Sequence, residues 1–403
     1  MKETTQVGRS LFGGRGLTIA IVVCAAIAVC GIALWVFQVV GGLAVTNMRN
    51  LASWGLYIVM FMFLVGLSAG GLIISSAPRV FGLKGFGGIS KVAVWSSICC
   101  TVLAAAFVIV DMGQPLRIWE LIVQSNFTSP LMWDVTVIAT YLTVSIVYLV
   151  LTVRAEKGAC SPRALRVIST VALVTAVLVH SVTAWIFGLQ AGRGMWNTAL
   201  LAPWFVSSAL VCGVALVIIV VIALRRAGYM DIAQENIVKM AKLLGVFLCV
   251  DLYFFGCDLL TEGYAGGHGA EIVSMLVAGP LAPFFWIEVL GGIAAIAIAF
   301  TPQLRTSALL VVASLLGIVG IFCKRVQLLV GGFQIPSLEY VAPVLPGSPI
   351  TDAGAAMQAL ASPMVYVPAP FEVALVLAVV AFGSCLFLLG IKYLPLKPAA
   401  KSC

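Results

Sequence analysis

Charged residues are scarce in this sequence: they fill 9% of its positions, while 62% are hydrophobic. Soluble domains carry roughly 25% charged and 45–50% apolar residues. Too little polar surface is present to wrap a water-soluble core, and a soluble enzyme is excluded. Histidine is nearly absent, with His180 and His268 the two in the chain. A membrane haem held between helices takes a histidine from each side. Only His180 lies in an apolar run, so no haem is expected. The eleven cysteines contain no Cys-x-x-Cys and lie mostly inside apolar runs, which argues against an iron–sulfur cluster in this chain and against disulfides. No Glu-x-x-His pair occurs either, so no metal centre is expected.

What the sequence has instead is long apolar runs. About 20 apolar residues at 1.5 Å rise cross a hydrocarbon core of about 30 Å. The runs predict ten transmembrane helices, near 17–41, 54–78, 91–111, 131–153, 167–189, 202–224, 241–262, 277–300, 306–330 and 371–392. The first, from Leu17 to Val40, is longer than the apolar region of a signal peptide, and no Ala-x-Ala-like cleavage site follows it. It is expected to remain as a helix.

The net charge of +8 would suggest a nucleic-acid partner in a soluble protein, and its placement decides otherwise. Lys2, Arg9 and Arg15; Arg79, Lys84 and Lys91; Arg154, Lys157, Arg163 and Arg166; Arg225, Arg226, Lys239 and Lys242; Arg305; and Lys392, Lys397 and Lys401 all fall on one side of the ten crossings. They are 18 of the 23 Lys and Arg residues. The other side has Arg49, Arg117 and Arg193, and Lys324 with Arg325 lie inside the ninth run. By the positive-inside rule the first side is cytoplasmic. The expectation is a multi-pass protein of a prokaryotic cytoplasmic membrane with both termini inside, and no nucleic acid as partner.

The architecture expected is all-α, a single membrane domain over residues 1–403. Ser129-Pro130-Leu131-Met132-Trp133-Asp134 opens the fourth run and Ala282-Pro283-Phe284-Phe285-Trp286-Ile287-Glu288 the eighth, each a Pro-x-x-Trp followed by an acid. The match predicts two four-helix bundles in parallel orientation, about 54–189 and 202–330, with the helices at 17–41 and 371–392 peripheral. Between the last two helices lies a connection over 331–370, with seven prolines and no Lys or Arg. A loop that long among short ones is expected to be external and to serve docking.

Ionisable groups at membrane depth are costly unless paired or hydrated, so each is a candidate for function. The first bundle has Asp111, Asp134 and His180; the second has Asp251, Asp258, Glu262, Glu288, Lys324 and Arg325. Most of these fall toward the outer side, as in a site that handles protons with a polar ligand. Asp251, Asp258, Glu262, Glu288 and Arg325 are the candidates for a proton path.

Several stretches together resemble the NrfD/PsrC family, the membrane subunits of polysulfide reductase-like complexes. They are Trp54-Gly55-Leu56-Tyr57 leading to Gly66-Leu67-Ser68-Ala69-Gly70-Gly71, Asp111-Met112-Gly113-Gln114-Pro115, Asn126-Phe127-Thr128-Ser129-Pro130-Leu131-Met132-Trp133-Asp134 and His180-Ser181-Val182-Thr183-Ala184-Trp185. Ten helices are similar to the family's longer branch, found with hydrogenases and alternative complex III. The sequence departs from the family pattern at Gln114, where Arg is common, and at Ala369, which follows Tyr366-Val367-Pro368. The resemblance implies a subunit of a respiratory oxidoreductase, inactive alone, that reacts with menaquinone or ubiquinone. It implies an extracytoplasmic ferredoxin-like iron–sulfur subunit as partner and a molybdopterin catalytic subunit beyond it. It makes Asp111, Asp134 and His180 the catalytic candidates, with Trp54, Tyr57, Trp133 and Gln190 binding the quinone. A quinone ring takes a donor or acceptor at each carbonyl and a proton path to water, which His and carboxylates supply.

Two other readings use the same residues. A secondary transporter has repeats and midplane charges, but shows paired Gly/Pro breaks at its substrate site; Gly70-Gly71 and Gly291-Gly292 read as close helix packing instead. A purely structural anchor would use the buried acids as ion pairs alone.

Overall fold

In a computed structural model of the protein, residues 14–49, 52–82, 87–334 and 366–397 are described. They form helices α1 Gly14–Gly41, α2 Leu56–Val80, α3 Gly87–Asp111, α4 Glu120–Val123, α5 Pro130–Glu156, α6 Pro162–Gly188, α7 Leu201–Arg226, α8 Gln234–Ala265, α9 Gly267–Val277, α10 Ala282–Phe300, α11 Ser307–Gln334 and α12 Pro370–Tyr393. Ten of them are long and apolar enough to cross a membrane, and the protein is a multi-pass membrane protein. Most of the connection over 331–370, residues 335–365, lies outside the described residues.

Helix starts follow from local chemistry. Proline opens α5, α6, α10 and α12 within the first turn, where its missing N–H removes nothing from the helix. Ser161 caps α6, its Oγ accepting from the Ala164 N–H at 3.1 Å. The structure differs from the sequence reading at the eighth crossing. The expected run 277–300 begins as a helix only at Ala282, and the short α9 lies in the connection before it, ending at Val277. Gly279-Pro280 separates them, since proline cannot continue the ladder and disfavours helical backbone in the residue before it.

The helices α2, α3, α5 and α6 pack each against the next in a closed ring, as do α7, α8, α10 and α11. The rings meet through α2 and α6 on one side and α7 and α11 on the other, and α1 pairs with α12 outside α3. Apolar burial gives no net attraction between helices in lipid, so close approach and polar contacts hold the rings. Within the first ring, Tyr141 and Tyr148 of α5, one heptad apart, donate to the Ser68 and Ser75 carbonyls of α2, each at 2.9 Å. At the same end as the Arg79 guanidinium, Lys91 of α3 pairs with Glu156 of α5 at 2.6 Å.

Between the rings the backbones of α2 and α7 touch. A Cβ at Gly70 would overlap the Ala209 carbonyl oxygen and Gly213, and one at Gly213 would overlap Gly70. Gly213→Val is therefore expected to cost about 1–3 kcal/mol by overpacking and to lower the unfolding temperature of the solubilised protein. Gly192→Val, where a Cβ meets open space, should leave it unchanged; equal effects of the two would refute this packing.

Candidate functional site

The side of the helices reached by the α3–α5, α6–α7 and α8–α10 connections, here the upper side, collects most of the buried ionisable groups. At its centre, between the rings, lies His180 of α6, completely buried. Eight residues from the helix end, it sits about 12 Å down at 1.5 Å per residue. Arg325 of α11, also completely buried, places Nη2 at 3.2 Å from His180 Nε2 and donates to Ser208 Oγ of α7. The Phe205 ring lies 3.7 Å from the guanidinium carbon and 5.4 Å from the imidazole. Gly66 of α2 lets the imidazole in: a Cβ there would stand 3.4 Å from His180 Cε1. His180 Nδ1 and Arg325 Nε and Nη1 make no hydrogen bond among the described residues.

One turn above His180 on the same face of α6, Thr183 Oγ1 donates to Asp134 Oδ1 of α5 at 2.6 Å. Asp134 is buried, so an acid, a hydroxyl and an imidazole follow one another along the α5–α6 contact without Asp134 touching His180. Thr183 lies in the same sequence motif as His180, but its role needs the rotation of α6 to be known.

Beside Arg325, Lys324 pairs with Asp251 of α8 and, at 3.2 Å, with Glu288 of α10. Ser207 Oγ donates to Asp251 at 2.9 Å and Gln327 Nε2 to Glu288 at 2.8 Å. The ammonium also lies 4.5 Å from the Trp204 ring centre. All three charges are nearly inaccessible. A cavity with aromatic and aliphatic walls borders this group, lined by Asp258, Glu262, Glu288, Lys324, Arg325 and Gln327 among others, with Ile272, Val273 and Leu276 of α9 also lining it. It offers 30 Å³ to the centre of a water-sized sphere, room for about two waters. Four of the five proton-path candidates thus line one cavity, and the fifth, Asp251, joins through Lys324.

Asp111 stands apart from His180 and Asp134. It belongs to a second cluster between α1, α2, α3 and the start of α12. There the Tyr57 hydroxyl donates to Gln38 Oε1 at 2.8 Å, and Gln38 Nε2 donates to the Val110 carbonyl at 2.7 Å. Glu372, buried in the first turn of α12, accepts from the Asn47 N–H at 2.8 Å and from the Tyr366 hydroxyl. Burial and the neighbouring Glu372 hold the Tyr366 phenol above its ordinary pKa, so it stays a donor. The sequence reading missed Glu372, because an acid in the first turn of a helix reads as a partner for the helix dipole.

The remaining quinone-binding candidates are dispersed. Trp54 stacks on Trp196 at 6.2 Å and meets Phe187 and Phe333 edge-on, in an aromatic cluster between the rings. The Trp133 indole donates to the Phe127 carbonyl at 2.6 Å and is partly exposed. Gln190 is exposed and bonds back to the Ile186 carbonyl. Among the described residues no group of three His, Cys, Asp or Glu side chains is placed to hold a metal.

The family described as polysulphide reductase, NrfD, matches residues 44–337, the span of both rings without α1 and α12. A protein of Halobacterium salinarum named as a putative membrane subunit of dimethyl sulfoxide reductase is 33% identical, the match covering 94% of the present protein and 91% of that one. An Hdr-like menaquinol oxidoreductase integral membrane subunit of Archaeoglobus fulgidus is 25% identical over 94% of the present protein and 93% of its own length. A polysulfide reductase polypeptide of Wolinella succinogenes is 24% identical, over 70% of the present protein and 95% of its own length.

Proposed function

Because the protein belongs to the NrfD polysulphide reductase family, we propose that it is the quinone- and quinol-reacting membrane subunit of a respiratory reductase complex. In this reading it passes electrons between menaquinone or ubiquinone and an iron–sulfur subunit outside the membrane, itself serving a molybdopterin enzyme. The observation that carries it is His180: fully buried at the junction of the rings, bonded at one nitrogen and, among the described residues, unpartnered at the other, one turn from the Thr183–Asp134 pair. A quinone head group supplies two carbonyls that accept hydrogen bonds and, once reduced, two hydroxyls whose protons must leave. The unpartnered His180 nitrogen fits a carbonyl, and Asp134 with Thr183 fits the onward passage of a proton. Relatives named for dimethyl sulfoxide, polysulfide and menaquinol chemistry support the reading. Its test is menaquinol-analogue oxidation by membranes carrying His180 variants, with the amount of assembled complex measured in the same membranes.

The acids around the α8–α11 cavity form the proton path of this proposal, Lys324 holding Asp251 and Glu288 as neighbours along it. The upper side is the extracytoplasmic one, on the 18 to 3 distribution of basic residues. Cys160, in the connection between α5 and α6, then faces the cytoplasm. It is expected to resist an impermeant thiol reagent in intact cells and to react in inverted vesicles; labelling in intact cells would reverse the topology.

A further inference from the structure

An arginine has N–H donors and no acceptor, and it keeps its charge in proteins. In its contact with His180, Arg325 Nη2 is therefore the donor and His180 Nε2 the acceptor, through its ring lone pair. A neutral imidazole with its lone pair on Nε2 carries its proton on Nδ1. The geometry points to a neutral His180 in the Nδ1–H form, whose proton is the buried donor with no partner among the described residues. We propose that Arg325 is the positioning residue that fixes His180 as a hydrogen-bond donor, and that His180 can take a proton on Nε2 only when Arg325 swings away.

This deepens the quinone reading and rests on it. With Arg325 in place, Nδ1–H is suited to hold a quinone carbonyl. When Arg325 has left and a quinol hydroxyl gives its proton to Nε2, that O–H bond breaks and an N–H bond forms; the second hydroxyl's proton leaves toward Thr183 and Asp134, and the two electrons go to the external iron–sulfur partner. Were Arg325 to stay, the imidazolium would face a guanidinium at hydrogen-bond distance with no carboxylate between them. Arg325 has somewhere to go: it lines the α8–α11 cavity together with Glu288, Glu262 and Asp258, and two of its nitrogens have no hydrogen-bond partner among the described residues. The other groups able to answer the new charge are Cys212 of α7, Asp134 of α5 through Thr183, and Asp251 beyond Lys324. From α2, Gly66 approaches the ring. Lys324 and Arg325 are adjacent in α11, so a displaced Arg325 arrives beside the Lys324–Glu288 pair. That gives protonation in the space between the rings a direct effect on the acids of the second ring.

The sequence has two histidines, which makes the assignment measurable. In the full-length protein labelled with 13C,15N-histidine in lipid bilayers, His268→Gln leaves His180 as the sole imidazole signal. The protonated nitrogen of His180 is expected to correlate with Cγ, the carbon bonded to Nδ1. In Arg325→Met the proton should pass to Nε2 and correlate with Cδ2, and Arg325→Lys, which keeps a donor, should restore the original pattern. A wild-type Nε2–H, a measurement that needs no substitution of Arg325, would overturn the proposal, as would an unchanged tautomer in Arg325→Met. A menaquinol analogue tests the underlying reading separately: a His180 spectrum indifferent to it removes the quinone from this site while leaving the Arg325 contact in force.

Discussion

Membranes carrying His180→Gln are expected to lose quinol-linked electron transfer by at least about 100-fold, the contribution of one positioned acid–base group, while the amount of assembled complex stays near that of the wild type. Glutamine is the informative replacement because its Oε1 can still accept from Arg325. His180→Ala would leave the fully buried guanidinium with Ser208 as its one hydrogen-bond partner among the described residues, and a lost buried hydrogen bond costs about 1–3 kcal/mol. Asp134→Asn keeps an acceptor for Thr183 Oγ1 and removes the ability to hold a proton, so it should fall with His180→Gln in activity and stand with it in assembly. If the two residues were structural, these replacements would keep the buried hydrogen bonds, and activity would follow the amount of complex. Quinol oxidation and immunodetection of the complex in the same membranes separate the two outcomes.

Lys324→Met should have the largest effect on stability. It leaves Asp251 and Glu288, each nearly inaccessible, without the cation between them, and breaking a buried ion pair from one side costs about 3–5 kcal/mol. The protein is expected to be lost from membranes or to unfold well below the wild-type temperature. Removing all the charges together, in Lys324→Met/Asp251→Asn/Glu288→Gln, should recover much of the stability, since a neutral replacement of a whole buried cluster is often tolerated. It should not recover proton-coupled activity. A single Lys324→Met variant with wild-type unfolding would mean that the charges are hydrated in the membrane.

Depth was legible in the sequence; direction around each helix was not. Counting residues from a helix end places Asp134, His180 and Arg325 toward one side of the membrane, and the alternation of basic connections fixes which helices run up. Rotation about the axis is a different matter, because lipid is as apolar as a protein core and a membrane helix shows little contrast between its faces. So Asp111 could not be told from Asp134 as a partner of His180, and it lies with Tyr57 and Glu372 instead. The His180–Arg325 contact joins residues 145 apart across two rings, and no local pattern announces it. Gly70 was legible as a site of close packing, but its partner Gly213 was not. Glu372 escaped notice because a helix start is an ordinary place for an acid.

Two polar clusters on the upper side could meet a quinone head group, one at His180 and one at Asp111 and Glu372, and the proposed site is the first. Photoaffinity labelling of the membrane complex with an azidoquinone, followed by mapping of the modified peptides, tests this most directly. Adducts within Pro130–Glu156, Pro162–Gly188 or the start of Leu201–Arg226, abolished by excess unlabelled quinone, are the expected result. Specific adducts confined to the residues around Tyr57, to those around Asp111 and to the start of α12, or none on this protein, would contradict it.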